Sequence, residues 1–251
     1  MSFLTINGLN VHYEKSGRKG KKVILLHGWG QNTEMMAYIA AFLKNHFIVY
    51  NIDFPGFGQS EEPKEAWSNE DYVECIHEFA IKNKIDNPII IGHSFGCRVA
   101  LYYAYKYPVY KMVLTGAAGI MAPHDLKWYF KVYTYKAGKV LLKPFKGLKE
   151  KLQGNAGSED YRNASPVLKG TLVKCVNFDI TPYLKDIKPE TLLVFGDKDD
   201  ATPLWMGKKM EELMPDATLV VFEGDDHFAY FHQGDRFNRV LEAFLKSDYA
   251  K

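Results

Sequence analysis

The sequence predicts an α/β protein built on a mainly parallel, doubly wound sheet of about eight strands. Short runs rich in Val, Ile and Leu alternate with segments of helical periodicity along most of the 251 residues. Such alternation is typical of parallel strands that are joined by helices and covered by them on both faces. An Asn7-Gly8 dipeptide between the first two β-favouring runs predicts a hairpin, and therefore an antiparallel edge.

The predicted elements follow from these two patterns. Residues Asp71–Lys84 are predicted to form a helix, because their apolar residues recur at a spacing that places them on one helical face. Another helix follows the corner at Ser94 and ends near Tyr107, before Pro108. The remaining predicted helices are Glu34–Lys44, Met206–Met214 and Gly234–Lys246. The predicted strands are Phe3–Ile6, Val11–Tyr13, Lys21–Leu26, Phe47–Ile52, Ile89–Ile91, Lys111–Thr115, Thr191–Phe195 and Thr218–Phe222.

The middle of the chain breaks the alternation. Residues 119–178 contain no convincing strand, and apolar residues recur there at helical spacing. We therefore expect residues 1–118 and 179–251 to form the core and residues 119–178 to form a helical cap over the carboxyl end of the sheet. The segment from Asp125 to Lys151 contains eight lysines. The cap therefore either exposes a solvated lysine face, or binds anionic lipid at a membrane surface or an acidic substrate.

Composition excludes several classes of protein. Lys and Arg number 32 against 30 Asp and Glu, so no strong field favours nucleic acid as a partner. No apolar run reaches the length of a transmembrane helix, and the N-terminus does not resemble a secretory signal. The three cysteines, Cys75, Cys97 and Cys175, show neither a disulfide framework nor metal-ligand spacing. These features predict a cytoplasmic protein that needs no metal.

A serine on a tight corner is the clearest chemical signal. In Gly92-His93-Ser94-Phe95-Gly96, a strand runs into a helix through a G-x-S-x-G turn. This turn exposes a serine hydroxyl, and the helix directs its first N–H groups at developing negative charge. A serine hydroxyl becomes a good nucleophile only with a base beside it and a third group that orients the base.

With these residues the chain resembles the α/β-hydrolase fold family from end to end. The segment His27-Gly28-Trp29-Gly30 resembles the family's oxyanion loop, which implies that the backbone N–H groups of Trp29 and Phe95 bind the oxyanion. The loop at residues 53–60, DFPGFGQS, is similar to the family's D-x-P-G-x-G-x-S loop. In the same way, FGDKDDATP resembles the turn that carries the acid, which implies Asp199, and DDHF resembles the segment that carries the base, which implies His227.

The residues alone support this placement but leave alternatives. The acid and the base each follow a predicted strand at its carboxyl end, where open α/β sheets bind ligands. Composition does not separate Asp199 from Asp197 and Asp200, and His232 is a second candidate for the base. We expect His27, Gly28, His93 and Trp128 to line the pocket or to make local hydrogen bonds. Asp226 either supports His227 or points to solvent.

The resemblance implies a cofactor-free serine hydrolase. Our main expectation is an enzyme that cleaves ester-like bonds of a small, hydrophobic substrate through an acyl-enzyme on Ser94. C–C bond hydrolysis, perhydrolysis and acyl transfer on the same triad are alternatives. A non-catalytic ligand-binding protein of the same fold is an alternative of another class. The two glycines Gly28 and Gly30 do not form a dinucleotide fingerprint, since no third glycine follows at the right spacing.

Overall fold

One sheet of eight strands organises the molecule. The computed structural model describes residues 2–121 and 159–249. The strand order is β1-β2-β4-β3-β5-β6-β7-β8, with β1–β2 and β2–β4 antiparallel and every other neighbouring pair parallel. This confirms the predicted fold class. The strands are β1 Ser2–Ile6, β2 Leu9–Ser16, β3 Lys22–Leu26, β4 Ile48–Ile52, β5 Ile89–His93, β6 Lys111–Thr115, β7 Glu190–Gly196 and β8 Ala217–Phe222.

Helices cover both faces of the sheet. Buried residues of α1 and α8 pack on one face, and buried residues of α2, α3 and α6 pack on the other. The sheet is therefore doubly wound, as predicted. The described helices are α1 Thr33–Leu43, α2 Asn69–Lys82, α3 Phe95–Lys106, α4 Glu159–Asn163, α5 Pro166–Val176, α6 Leu204–Leu213, α7 Ala229–His232 and α8 Gly234–Leu245, with 3-10 helices at Thr181–Asp186 and Lys246–Asp248.

The first hairpin has the predicted turn. Asn7 and Gly8 both have positive φ, 49° and 80°, as a two-residue turn with the twist of the flanking strands requires. Strand β2 is longer than the run predicted at residues 11–13, and its second half pairs with β4. The hairpin therefore extends the parallel part of the sheet by two antiparallel strands.

The ends of the expected cap meet at the core. The amide of Ile180 donates to the carbonyl of Gly119 at 3.1 Å, and the amide of Met121 donates to Oδ1 of Asp179 at 3.4 Å. Helix α5 contacts the loop before α2, where the Trp67 amide donates to Oγ1 of Thr171 at 2.9 Å. The expected lysine face and Trp128 lie outside the described residues, and the division at residues 119 and 178 stays a prediction.

Within the part of the chain described, every helix falls short of the length and apolar character that a membrane span requires.

Candidate active site

Ser94 occupies a strained corner between β5 and α3. Its φ of 51° and ψ of −110° lie outside the regions that L-residues favour, as in a nucleophile elbow. The flanking glycines make room for the corner. A Cβ on Gly96 would lie 2.2 Å from the carbonyl oxygen of Leu26, and one on Gly92 would lie 2.9 Å from the amide nitrogen of Cys97. Neither position tolerates a side chain without a shift of backbone.

A buried carboxylate holds a histidine at the carboxyl edge of the sheet. Oδ2 of Asp199 lies 2.7 Å from Nδ1 of His227, and the Asp199 side chain is fully buried while that of His227 is 15% exposed. Because an ionised carboxylate only accepts, this contact assigns the proton to Nδ1 and leaves the Nε2 lone pair free. Asp199 follows β7 and His227 follows β8, the places that the sequence predicts.

The turn after Asp199 supplies further donors to its carboxylate. The amides of Ala201 and Thr202 donate to Oδ1 at 2.8 and 2.7 Å, and the Thr202 hydroxyl donates to Oδ2 at 2.7 Å. Burial raises the pKa of a carboxyl group, but the hydrogen bonds from His227 and Thr202 outweigh burial and hold the pKa of Asp199 below its ordinary value. Asp199 is therefore ionised near neutral pH.

The loop after β6 brings the serine and the histidine together. The Ser94 amide donates to the carbonyl of Thr115 at 3.0 Å, and the Ala118 amide donates to the carbonyl of Ser94 at 3.3 Å. Gly116, between these two contacts, lies against the imidazole of His227, because a Cβ there would be 2.9 Å from Nδ1. The ring of His93, the residue before Ser94, lies 4.8 Å from the His227 ring.

The two backbone amides predicted to bind the oxyanion belong to Trp29 and Phe95. Phe95 is the first residue of α3, so its N–H has no partner within the helix. The indole of Trp29 packs edge-to-face on the Phe95 ring, 5.4 Å between centroids, which places the predicted oxyanion loop beside the corner. Within residues 2–121 and 159–249, neither the Trp29 nor the Phe95 amide donates to a protein acceptor.

The two flanking histidines are buried and neutral. The ring of His27 lies 2.7 Å from the carbonyl of Gly28 through Nδ1 and accepts from the amide of Phe54 through Nε2 at 3.0 Å. Burial lowers the pKa of His27 to about 4 and that of His93 to about 3. His27 therefore joins two loops, while His93 and Gly28 pack against each other behind the corner, since a Cβ on Gly28 would meet the His93 ring at 3.0 Å.

The alternative acids and base lie elsewhere. Asp197 is exposed and accepts from the Gly224 amide at 2.7 Å, and Asp200 is exposed as well. His232 has a side chain that is 49% exposed, and its Nδ1 lies 2.8 Å from Oδ1 of Asp225. Asp226 accepts from the Phe228 amide at 2.8 Å, lies 3.4 Å from Nδ1 of His232 and is 55% exposed, so its carboxylate faces solvent.

One group of side chains has the spacing of metal ligands. Among the described residues, Asp225, Asp226 and His232 place their ligand atoms within 4.8 Å of one another. His232 and Gln233 already hydrogen-bond to Asp225, so ordinary pairing accounts for the cluster.

The sequence analysis did not predict two residues that contact the site. Thr202 touches both Asp199 and His227, and Gly116 packs on the His227 ring. A glycine directly after β6 at the edge that carries the site is a signal that could have indicated Gly116. Thr202 gave no signal, because a threonine before a proline is ordinary in a loop.

This chain is similar to known hydrolases along nearly its whole length. A hydrolase named for 2-hydroxy-6-oxo-6-phenylhexa-2,4-dienoate from Burkholderia cepacia is 30% identical, over 97% of this chain and 95% of that protein. Its namesake from Comamonas testosteroni is 29% identical, over 94% and 91%. A meta-cleavage product hydrolase from Pseudomonas fluorescens IP01 superposes with a TM-score of 0.75 at 23% identity, covering 98% of both chains, and shares the fold. The model of the alpha/beta hydrolase family matches residues 23–240, and the chain therefore belongs to that family.

Proposed function

We propose that this chain is a serine-dependent hydrolase that breaks a bond between a carbonyl carbon and its substituent. The observation that carries the proposal is the Asp199–His227 hydrogen bond at 2.7 Å, made beside the strained corner that presents Ser94. A buried carboxylate that fixes the proton on Nδ1 leaves Nε2 as a base toward the serine. Three residues from three separate loops share one edge of the sheet, which is the arrangement that nucleophilic catalysis requires.

Each residue has a role in the proposed reaction. Ser94 attacks the carbonyl carbon, and His227 accepts the serine proton at Nε2. The amides of Trp29 and Phe95 donate to the oxyanion of the tetrahedral intermediate, while Asp199 stabilises the imidazolium. His227 then gives its proton to the leaving group, and water releases the acid from Ser94 through the same steps. Overall, hydroxide adds to the acyl carbon and a proton adds to the leaving atom.

For the substrate we propose a conjugated 6-oxo acid whose C–C bond next to the ketone is cleaved. The support is the pair of curated relatives that match at 29% and 30% identity and are named for such a dienoate. A carbon leaving group departs only if its electron pair is delocalised, and a dienoate provides that delocalisation. The partly exposed indole of Trp29, which packs at 4.9 Å on the Phe57 ring, offers an apolar surface to an aryl or alkyl substituent on the ketone.

Ester hydrolysis is the second candidate. It is our expectation from the sequence, and it uses the same atoms, with an alkoxide in place of the carbon leaving group. A substrate panel separates the two: 2-hydroxy-6-oxo-6-phenylhexa-2,4-dienoate, followed by loss of its absorbance, and p-nitrophenyl esters of increasing acyl length. We expect kcat/KM for the dienoate to exceed that for every ester by at least about 100-fold. The reverse order would assign the chain to the esterases.

A serine-directed probe tests the mechanism independently of the substrate. A fluorophosphonate should label the native chain on Ser94, and Ser94→Ala should abolish the labelling. His227→Ala should lower turnover by about 10⁴-fold or more, because base and nucleophile act as one unit. His232→Ala is the matched control and should retain activity. If His227→Ala retains activity, the general base is His232 instead. If the native chain is neither labelled by the probe nor turns over a substrate, a ligand-binding protein is favoured.

A further inference from the structure

Thr202 touches both the proposed acid and the proposed base. Its side chain is buried, its amide donates to Oδ1 of Asp199 at 2.7 Å, and its hydroxyl donates to Oδ2 at 2.7 Å. The same Oγ1 lies 3.2 Å from Nδ1 of His227. Thr202 therefore contacts each end of the Asp199–His227 hydrogen bond.

Oδ2 of Asp199 accepts two hydrogen bonds, one from His227 and one from Thr202. The hydroxyl has a single proton, and its only acceptor among these three groups is the carboxylate, because Nδ1 carries its own proton. Nδ1–H points mainly at Oδ2, since that distance is 2.7 Å while the distance to Oγ1 is 3.2 Å. A second donor on Oδ2 draws electron density from the bond to His227.

We infer that Thr202 is a positioning residue that fixes the orientation of the Asp199 carboxylate and moderates its hold on the Nδ1 proton of His227. The inference rests on the proposed function, in which His227 must both accept and return a proton. The amide of Thr202 orients the carboxylate through Oδ1, and the hydroxyl sets how basic Oδ2 is. Too strong a hold on Nδ1–H would keep the imidazolium from returning its proton to the leaving group.

The other titratable groups near the Asp199–His227 pair are neutral, exposed or paired elsewhere, so the Thr202 hydroxyl is the side-chain donor whose removal tests this inference. His93 faces the pair from β5, and burial keeps it neutral with a pKa of about 3. From the loop after β8, Asp226 is 55% exposed and accepts a hydrogen bond from the Phe228 amide. The other acidic and basic groups nearby are exposed or paired elsewhere: Asp197 with the Gly224 amide, Asp225 with His232, and Asp200 in solvent.

Removal of the Thr202 hydroxyl should shift the acid limb of the pH–rate profile of Ser94 labelling to higher pH. Without the Thr202 hydroxyl, Asp199 is more basic, so the Asp199–His227 pair binds its proton more tightly and the base is lost at a higher pH. We expect the midpoint of this limb to rise by about one pH unit in Thr202→Val, since a hydrogen bond to a charged group has about that value. Valine matches threonine in shape and keeps the backbone bond to Oδ1. Thr202→Ser keeps the hydroxyl and should restore the native midpoint.

The rate of fluorophosphonate labelling as a function of pH measures this limb without a substrate. In that reaction the Ser94 oxygen bonds to phosphorus, the P–F bond breaks, fluoride leaves and the serine proton passes to His227. Equal midpoints for the native chain and Thr202→Val would overturn the inference while the proposed function stands. Thermal melting of each variant checks that it is folded.

The low-field proton resonance of the His227 Nδ1–H gives a second readout that needs no reaction. A stronger bond to Asp199 should move this resonance downfield in Thr202→Val and leave it in place in Thr202→Ser. If the native chain is not labelled at Ser94, the proposed function fails, and this resonance alone decides the role of Thr202. An unchanged resonance in Thr202→Val would then overturn the inference.

Discussion

Two residues at the carboxyl edge of the sheet have positive φ, which residues with a Cβ rarely adopt. Ser94 has φ 51°, and Gly116, beside the His227 ring, has φ 50°. Such strain costs on the order of 1–3 kcal/mol at a non-glycine residue and persists only where the surrounding structure enforces it. At Ser94 the conformation is enforced by the close packing of the two flanking glycines and by the hydrogen bonds with Thr115 and Ala118. The strain therefore lies where the proposed nucleophile is presented.

Gly116→Ala should disturb the site more than it disturbs the fold. The new Cβ would lie 2.9 Å from Nδ1 of His227 and 3.0 Å from Cε1, so the imidazole must move off Asp199. We expect the rate of fluorophosphonate labelling to fall by about 100-fold, the usual effect of a misplacement of about 1 Å. The free energy of unfolding should fall by about 1–2 kcal/mol from the positive φ alone.

Gly8→Ala is the matched control for this prediction. Gly8 also has positive φ, 80°, but a Cβ there meets nothing within 4 Å. The variant should lose similar stability, measured by urea unfolding, and label at the native rate. If Gly116→Ala labels as fast as Gly8→Ala does, the contact with His227 has no influence on the base.

Among the three aspartates of the turn after β7, the sequence without the resemblance did not choose the partner of His227. All three carboxylates have the same chemistry, and only the path of the turn decides which one is buried. The structure buries Asp199 and leaves Asp197 and Asp200 exposed. Thr202 was missed because its importance comes from contacts across elements and not from residue type, whereas Gly116 was missed although a glycine directly after β6 could have indicated it.

At the scale of elements, the hydrophobic pattern predicted the positions of strands and helices well and their end residues less well. Strand β6 has the predicted bounds, and the predicted apolar face of α2 is buried throughout. Helix α2 begins two residues before the predicted start because Ser68 and Asp71 form a capping box, which satisfies the first amides earlier. Periodicity reports which residues are buried, whereas caps decide where a helix begins.

The loop after β4 depends on one buried carboxylate. Asp53 accepts from the Thr33 amide at the start of α1 at 2.6 Å and from the Gln59 amide at 2.9 Å, and its Oδ2 lies 2.8 Å from Nδ1 of His12 on β2. Asp53→Asn turns one acceptor into a donor that faces other donors. We expect the free energy of unfolding, measured in urea, to fall by about 2–4 kcal/mol.

Asp197→Asn serves as the comparison for Asp53. Asp197 is exposed and accepts one amide hydrogen bond, from Gly224, so its replacement should change stability by less than about 1 kcal/mol. Equal losses in the two variants would mean that the Asp53 network does not stabilise the loop beyond an ordinary turn.

At the scale of the molecule, one continuous sheet joins the two halves of the chain. Strand β6 pairs with β7 from Lys111↔Glu190 to Thr115↔Val194, although residues 119–178 separate them in sequence. The sequence predicted the strands but not their order, because a hydrophobic run reports burial and not the identity of its neighbours. Ser94, Asp199 and His227 follow β5, β7 and β8, so the order of the strands is what brings them together.

The opposite edge of the sheet carries a polar cluster that binds the C-terminal segment. Lys111 begins β6 with a side chain only 9% exposed, and its Nζ lies 2.9 Å from Glu190 and 3.1 Å from Asp248. The hydroxyl of Tyr110 donates to Asp248 at 2.7 Å. Because parallel strands place their amino ends together, this cluster is separated from the candidate site by the length of the strands.

Asp248→Ala should therefore lower the stability of the protein without changing the reactivity of Ser94. Among the described residues, the variant leaves Glu190, whose side chain is 47% exposed, as the one carboxylate paired with the largely buried Lys111. We expect the free energy of unfolding to fall by about 2–4 kcal/mol. The rate of fluorophosphonate labelling of the folded protein should stay at the native value, since no group at the site has moved. Glu212→Ala, which breaks the exposed pair with Lys209, should change stability by less than about 1 kcal/mol. A fall in the labelling rate of folded Asp248→Ala would show that the two edges of the sheet are coupled.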